Sequence, residues 1–432
     1  MKYSPNNPIL LSSSLSVDQA REAINGLVNE LLAETPLDSE VVALNDALNR
    51  VLSEDLLSPI DVPSADNSAM DGYAFDGVCL KGESKKTQLK IVGIAYAGKP
   101  YIGAIAKGEC IQIMTGALMP SACDTVIPQE LVSVSDHEIA FDPSLLKSGD
   151  NRRLKGEDLE KNKPAIVAGR ILRPADLGLA ASLGIASLKV KRKLRVAILS
   201  SGDELTPLGE TLKEGGIYDS NRYSLTGMLK RLDLDVIDCG IVRDDPDSLK
   251  AAFAAAAVKA DVLISSGGVS VGEADFTKQV LQELGDVGFW KIAMRPGRPM
   301  AFGTLKPVSG KLPAHKTLFF GLPGNPVAVM VTFYQFVRSA LLQLNGAKDT
   351  APPLTQAIAA NAIRKKAGRT EFQRAILSRD PEGRPSVRLT GSQGAGILRS
   401  MSEANCFVIL THDQENINAG DWVDVALFEG LL

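Results

Sequence analysis

A chain of 432 residues is too long for one compact core, so two to four domains are expected. Hydrophobic residues make up 45% and charged residues 23%, which excludes a disordered chain, and the net charge of −4 argues against nucleic acid as the main partner. The 5 cysteines show no CxxC spacing and the 3 histidines no HxxxH pair, so a thiolate or histidine zinc site is not expected.

Residues 1 to 15 are polar and Ser-rich and read as a loose tail. From Ser16, a natural N-cap, the spacing Val17, Ala20, Ala23, Ile24, Leu27, Leu31 predicts a helix with one apolar face. A second helix is expected from Leu44 to Asn49. The run from Asp61 to Phe75 is unusually polar and small, and composition alone leaves a plain turn before a strand as an equal reading. Lys90 to Ile127 reads as short strands between Gly and Pro turns, a small β module inserted between two parts of a helical region; a helix over Arg173–Leu183 carries Pro174 in its first turn.

Leu194 to Phe336 repeats one pattern: apolar run, tight turn, helical stretch. The strands are expected at Leu194–Ser200, Asp235–Val242, Val262–Ile264 and Leu318–Phe320, with Asp247 capping the Ala-rich helix that ends at Ala260. This is the punctuation of a doubly wound α/β domain, whose turns at the carboxyl ends of the strands meet in one crevice. A long apolar helix follows Pro326. After a linker near Pro352, alternating segments such as Phe372–Leu377 and Cys406–Leu410 predict a small all-β end domain. No apolar run is read as spanning a bilayer and no signal-peptide core follows Lys2, so the expected location is cytoplasmic, with no membrane partner.

Four acids, Asp203, Glu204, Asp244 and Asp275, fall in turns or at a helix start on one edge of that sheet. The Gly267-Gly-Val-Ser-Val-Gly272 loop has the glycine spacing of a phosphate-binding loop, but Glu273-Ala274 stands where a nucleotide-binding P-loop needs Lys-Ser/Thr. Backbone amides there suit an oxyanion, and carboxylates beside a phosphate call for a divalent cation such as Mg²⁺. Lys291, Arg295 and Arg298 lie close to Pro296 and Pro299 and suit a tetrahedral oxyanion, with a basic surface hairpin the equal alternative. Together these groups point to transfer or hydrolysis at a phosphate.

Six motifs in order carry a resemblance: Asp66-Asn-Ser-Ala-Met-Asp-Gly-Tyr-Ala74, Ile113-Met-Thr-Gly-Ala117, Ser201-Gly-Asp-Glu-Leu205, Ser265-Ser-Gly-Gly-Val-Ser-Val-Gly-Glu-Ala-Asp275, Pro296-Gly-Arg-Pro299 and Gly321-Leu-Pro-Gly-Asn-Pro326. From about Ser16 onward the chain resembles the MoeA family of molybdopterin molybdenumtransferases, related to the E domain of gephyrin. The resemblance implies an α/β multidomain fold: a segmented helical/linker domain (1–60 and 155–192), an inserted β domain (61–154), a MogA-like doubly wound α/β domain (193–347) and a C-terminal small β domain (352–432). It implies a reaction in which adenylylated molybdopterin and molybdate give molybdenum cofactor and AMP, assisted by Mg²⁺. A homodimer is implied, with the MogA-like adenylylating enzyme and recipient molybdoenzymes as further partners.

Carried over by motif, Glu204 and Asp275 are expected at the metal or pyrophosphate, with Asp244 beside them. Asp71 and Thr115 would come from the inserted domain of the partner chain. Ser201, Gly202 and Asp203, with Ser266, Gly267, Gly268 and Ser270, would line the adenylyl-phosphate pocket, and Pro323, Gly324, Asn325 and Pro326 a cleft wall. Lys291, Arg295 and Arg374 would gather molybdate. Two departures bear on this. Arg295 and Arg298 stand where many relatives have Lys, and Ala395 stands where several have Ser. An adenylylating enzyme and a non-catalytic scaffold are the rival readings; the inserted and C-terminal domains speak against the first, and the intact acids against the second.

Overall fold

The computed structural model describes residues 14–81, 86–268, 275–306 and 316–428, with the backbone alone for 275 and 276. The chain divides into two compact units, one of Met1–Ser53, Gly169–Pro174 and Ser187–Leu432, the other of Glu54–Ala168 and Ala175–Ala186.

The first unit begins with helix α1, Val17–Glu34. Ser16 Oγ accepts the Gln19 amide at 3.1 Å while Gln19 Oε1 accepts the Ser16 amide at 2.9 Å, a reciprocal capping box that fixes the start. Its apolar face, Val17, Ala20, Ile24, Leu27, Val28 and Leu31, is buried. Leu15 belongs to the fold rather than to a loose tail: its amide donates to the Lys291 carbonyl at 2.8 Å and its side chain is buried. The rest of the expected tail, 1 to 13, lies outside the described residues. The helix expected over Leu44–Asn49 is a single 3₁₀ turn, Leu44–Asp46. The preceding residues Ser39–Ala43 are committed to an antiparallel ladder with Ser187–Lys191, and Asn49, at φ 64°, turns the chain away.

The α/β sheet consists of β1 (Arg195–Ser201), β2 (Asp235–Val242), β3 (Val262–Ser266), β4 (Gly285–Lys291), β5 (Pro299–Leu305) and β6 (Thr317–Leu322), in the order β2-β1-β3-β6-β5-β4. The first four in that order are parallel, and β5 and β4 continue the sheet antiparallel. Strand direction alternates the side chains between two cores. Val196, Ile198, Ile264 and Phe320 join α1 in one, while Ala197, Leu199, Leu263 and Phe319 join the other. The helices are α2 (Asn221–Arg231), α3 (Pro246–Lys259), α4 (Asp275–Leu284), α5 (Pro326–Thr332) and α6 (Arg338–Leu344), the last two joined by a π-turn at Phe333–Val337. The N-cap of α3 is Asp245, which accepts the Ser248 amide at 2.9 Å, rather than Asp247; Pro246 in the first helical position sets that register. Pro326–Leu344 is by length and composition apolar enough to cross a bilayer, but 83% of its most apolar 18-residue window is buried within the structure, as in a core helix.

The end of the unit is a small barrel of β7 (Leu354–Ala359), β8 (Thr370–Arg379), β9 (Pro385–Leu389), β10 (Cys406–Leu410) and β11 (Trp422–Leu427). Pairing runs β8-β9-β7-β11-β10 and returns from β10 to β8, so the sheet closes on itself. The short strand Met294–Arg295 pairs in parallel with the start of β8, Arg295 opposite Glu371, and so ties the barrel to the α/β sheet.

The second unit holds a six-stranded sheet built on Gly72–Phe75, Thr87–Ala95, Glu109–Ile113, Thr125–Pro128, Ser133–Ser135 and Glu138–Phe141. The same unit holds a separate two-stranded ladder in which Leu56–Leu57 pairs antiparallel with Pro164–Ile166.

Candidate active site in the first unit

The order of the sheet reverses between β1 and β3, where β1 leads to the β2 side and β3 to the other, and the turns that leave these strands stand side by side. After β1 the chain makes the turn Ser201-Gly-Asp-Glu; after β3 it makes Ser266-Gly-Gly. The second turn needs glycine for a steric reason. Gly267 has φ 90°, and a Cβ on it would meet the Ser201 carbonyl oxygen at 2.2 Å. The backbones of the two turns can therefore lie against each other.

These turns open on a cavity of about 590 Å³ whose wall combines the α/β sheet edge with the barrel. Ser201, Gly202, Glu204, Asp244, Gly267 and Gly268 line one side. The wall continues through Arg295 to Pro299, Pro323 to Pro326, and Arg369, Gln393 and Ala395 from the barrel. A second hollow of about 340 Å³ shares Ser201, Glu204, Gly267, Gly324, Asn325 and Pro326 and reaches Tyr218, Asn221 and Ser266. Asn221 links its edges: Nδ2 donates to Ser266 Oγ at 2.8 Å and to the Gly324 carbonyl at 2.7 Å. The turn before it is held by buried Asp219, which accepts from Ser200 Oγ at 3.1 Å and from Arg222 Nε at 3.0 Å.

The acids divide by situation. Glu204 and Asp244 line the larger cavity, and neither forms an ion pair among the described residues. Asp244 accepts from Ser201 Oγ at 3.3 Å, and its amide donates to Asp203 Oδ1 at 3.4 Å; Asp203 is exposed beside the cavity rather than in its wall. Asp275 begins α4, and its side chain lies outside the described residues, as does Ser270. Among the described residues no three His, Cys, Asp or Glu side chains gather as a metal cage.

The cations of the cavity are Arg295, Arg298 and Arg369. Of the three expected from sequence to gather an anion, only Arg295 is among them. Lys291 is exposed at the end of β4 and does not line the cavity. Arg374 is 1% exposed. Its Nε donates to Ser400 Oγ at 3.1 Å and its Nη groups to the carbonyls of Ser392, Gln393 and Gly394 at 3.4, 3.3 and 2.9 Å. Burial, and then the charge of Arg295, bring this guanidinium down to about 10. Arg374 thus shapes the loop that carries Gln393 and Ala395 to the cavity. At Ala395 the missing hydroxyl leaves the backbone in use, its carbonyl accepting the Val327 amide at 3.1 Å.

Arg369 is the residue that sequence reasoning missed. The signal was a period-two polar row on one strand face, Arg369, Glu371 and Gln373, and the three are hydrogen-bonded in succession. In the second unit, Asp71 and Thr115 are exposed and bonded to each other: Asp71 Oδ1 accepts the Thr115 amide and Oγ1, each at 2.7 Å, and these two bonds hold the Asp71 carboxyl below its ordinary value.

A larger hollow of about 680 Å³ lies at the opposite, amino end of the sheet, lined by Arg50, Arg192, Lys193, Arg195, Asp261 and Lys316 among others. Arg192 grips Asp261 with two bonds of 2.7 and 2.8 Å, and Arg195 adds its backbone amide at 2.8 Å, Nη2 at 3.1 Å and Nε at 3.5 Å. Each of the hollow's five cations has a carboxylate partner.

Three family profiles cover the chain in order: the MoeA N-terminal region (domain I and II) over 15–184, the probable molybdopterin binding domain over 197–343, and the MoeA C-terminal region (domain IV) over 356–428. A protein of Haemophilus influenzae named molybdopterin molybdenumtransferase is 41% identical over 97% of this chain and 100% of its own length. One of the same name from Nostoc is 32% identical over 97% of this chain and 96% of its own. Crystal structures of molybdopterin biosynthesis MoeA proteins from Pyrococcus horikoshii superpose with TM-scores of 0.79 and 0.70 at 26% and 31% identity, covering 96% of this chain and 100% and 99% of theirs. On this match along its whole length, the chain belongs to the MoeA family of molybdopterin molybdenumtransferases.

Proposed function

We propose that this protein inserts molybdenum into adenylylated molybdopterin, taking molybdate and releasing AMP as the molybdenum cofactor forms. The observation that carries the reading is the bipolar cavity, with Glu204 and Asp244 in the turns of the α/β sheet and Arg295, Arg298 and Arg369 in the same wall. Substrates of like charge need both poles: carboxylates to share a divalent cation with a pyrophosphate, and guanidinium groups to hold a tetrahedral oxyanion.

The donor set fits Mg²⁺, which takes oxygen ligands, usually one or two carboxylates together with substrate phosphates, rather than a protein cage. By motif Glu204 and Asp275 would hold it, with Asp244 beside them in the cavity wall. When bound, Mg²⁺ supplies charge neutralisation between these carboxylates and the pyrophosphate. The chain does the rest. The Ser266-Gly267-Gly268 turn presents backbone to the adenylyl phosphate, and the Pro323-Gly-Asn-Pro326 turn closes one side of the pocket. Arg295, Arg298 and Arg369 hold molybdate against loss to solvent, so the two substrates react as neighbours rather than by collision.

The same proposal includes the four-domain division, a homodimer, a cytoplasmic location and contact with the adenylylating enzyme and recipient molybdoenzymes. Asp71 and Thr115 stay assigned to the reaction through the family motifs, and their mutual bonds make them act as one element. The test is chromatographic: purified protein is given adenylylated molybdopterin and Mg²⁺, with and without molybdate. Molybdate-dependent AMP release is expected. Tight binding without release means a carrier or scaffold, and AMP-pterin formed from ATP moves the protein to the adenylylating step.

A further inference from the structure

We propose that Glu371 is a positioning residue for anion capture, fixing Arg369 so that both of its Nη groups are available to the cavity. This rests on reading the cavity as the place where molybdate is held. Arg369 Nε donates to Glu371 Oε1 at 2.9 Å, and among the described residues its Nη groups have no hydrogen-bond partner. Glu371 is only 3% exposed, and its other oxygen is used: Oε2 accepts Gln373 Nε2 at 2.9 Å. Gln373 is itself anchored, since Nε2 also donates to the Arg364 carbonyl at 3.2 Å. Both ends of the row are therefore set, one in the barrel and one in the cavity wall.

A carboxylate behind a cation weakens the pull of that cation on an anion. Its presence in a wall that gathers oxyanions needs a geometric reason, and the geometry supplies one. Arginine is long and rotamer-rich, and fixing it before the anion arrives removes an ordering cost from binding. Binding through Nε rather than Nη leaves the planar fork intact for a bidentate contact. Glu371 also stands opposite Arg295 in the parallel pairing of Met294–Arg295 with β8, so the strand that carries it sets the spacing of two cavity arginines.

The experiment titrates molybdate alone into the full-length protein by calorimetry, with AMP release measured in parallel. Glu371→Ala is expected to weaken molybdate binding about tenfold and to raise the KM for molybdate while leaving that for adenylylated molybdopterin unchanged. Arg369→Ala weakens binding at least as much, and the double variant binds within about twofold of Arg369→Ala, because Glu371 acts through that side chain. Glu371→Gln keeps an acceptor for Nε and restores binding to within about threefold of the parent. An unchanged Kd in Glu371→Ala, a loss that adds in full to that of Arg369→Ala, or failure of Glu371→Gln to rescue overturns the assignment. Should Glu371→Ala not fold, Gln373→Leu takes its place in the same cycle, with a loss of about threefold expected only when Arg369 is present. Molybdate binding with this coupling but without AMP release defeats the functional reading and leaves Glu371 standing. AMP release without the coupling does the reverse, and a parent protein that binds no molybdate overturns both.

Discussion

The two ends of the α/β sheet carry similar charge and opposite chemistry. At the amino end, the five cations Arg50, Arg192, Lys193, Arg195 and Lys316 each have a carboxylate partner: Glu40, Asp261, Asp233, Asp261 and Glu34. At the carboxyl end, Glu204, Asp244, Arg295 and Arg298 form no ion pair among the described residues, although all four line one cavity. The larger hollow is the amino-end one, at about 680 against 590 Å³. Volume therefore does not mark the site. Pairing separates the two ends: four charged groups of the carboxyl-end wall are left without an ion-pair partner, and Arg369, held by Glu371, is the exception there.

If that distinction holds, substitutions at the two ends separate stability from activity. The largest effect is expected at Asp261, which is 7% exposed. Asp261→Ala leaves Arg192 and Arg195 without their anion and should cost about 3–5 kcal/mol in urea denaturation, with KM values unchanged in the protein that remains folded. Its pH dependence has a defined sign. Burial alone would raise the Asp261 carboxyl, but the bonds from Arg192 and Arg195 outweigh it and leave the group below its ordinary value. A carboxyl depressed in the folded state contributes stability above its unfolded value of about 3.9, and the contribution is lost as pH falls through the lower folded value. Asp261→Asn should therefore flatten the acid limb of the stability profile below about pH 4 and leave the neutral region parallel to the parent.

At the carboxyl end the expectation is reversed. Glu204→Gln and Asp244→Asn should each lower the rate of AMP release about a hundredfold while stability stays within about 0.5 kcal/mol of the parent, since neither carboxylate is paired in the fold. A large loss of stability in either variant would erase the contrast between the ends. Arg374 provides an intermediate case, a buried cation satisfied by three carbonyls and the Ser400 hydroxyl rather than by an acid. Lysine has three donors for four acceptors and a different shape, so Arg374→Lys should cost about 1–2 kcal/mol and loosen the loop at Gln393, seen as faster amide exchange over 391–396.

What the sequence made legible follows the same division. β1, β2, β3 and β6 are apolar runs closed by Gly or Pro turns, so Glu204, Asp244 and the Gly267 turn were readable as neighbours from local pattern and the rule for strand ends. The barrel wall was not. Arg369 reaches the cavity because Met294–Arg295 pairs with β8, a long-range register that no local pattern reports. Without it, Arg374 and Arg369 are two arginines on opposite faces of a strand of unknown orientation, and the resemblance favoured the one that the fold buries. At the start of α3 the signal was present but outvoted: Asp245 and Asp247 both precede or open the helix, and Pro246 at the first position selects Asp245.

The smallest effect is the sharpest test of the comparison, because it asks whether the amino-end hollow binds anything at all. Lys316 lines that hollow and pairs with Glu34 at 2.8 Å, both side chains being about half exposed. An exposed pair of this kind is screened by water and salt and contributes about 0.2–1 kcal/mol. Lys316→Ala should lower the thermal midpoint slightly in low salt, less in high salt, and leave the rate of AMP release and both KM values as they are. A Lys316→Ala protein with an altered KM for either substrate would show that the paired charges at this end are recruited on binding, and the contrast between the two ends of the sheet would fail.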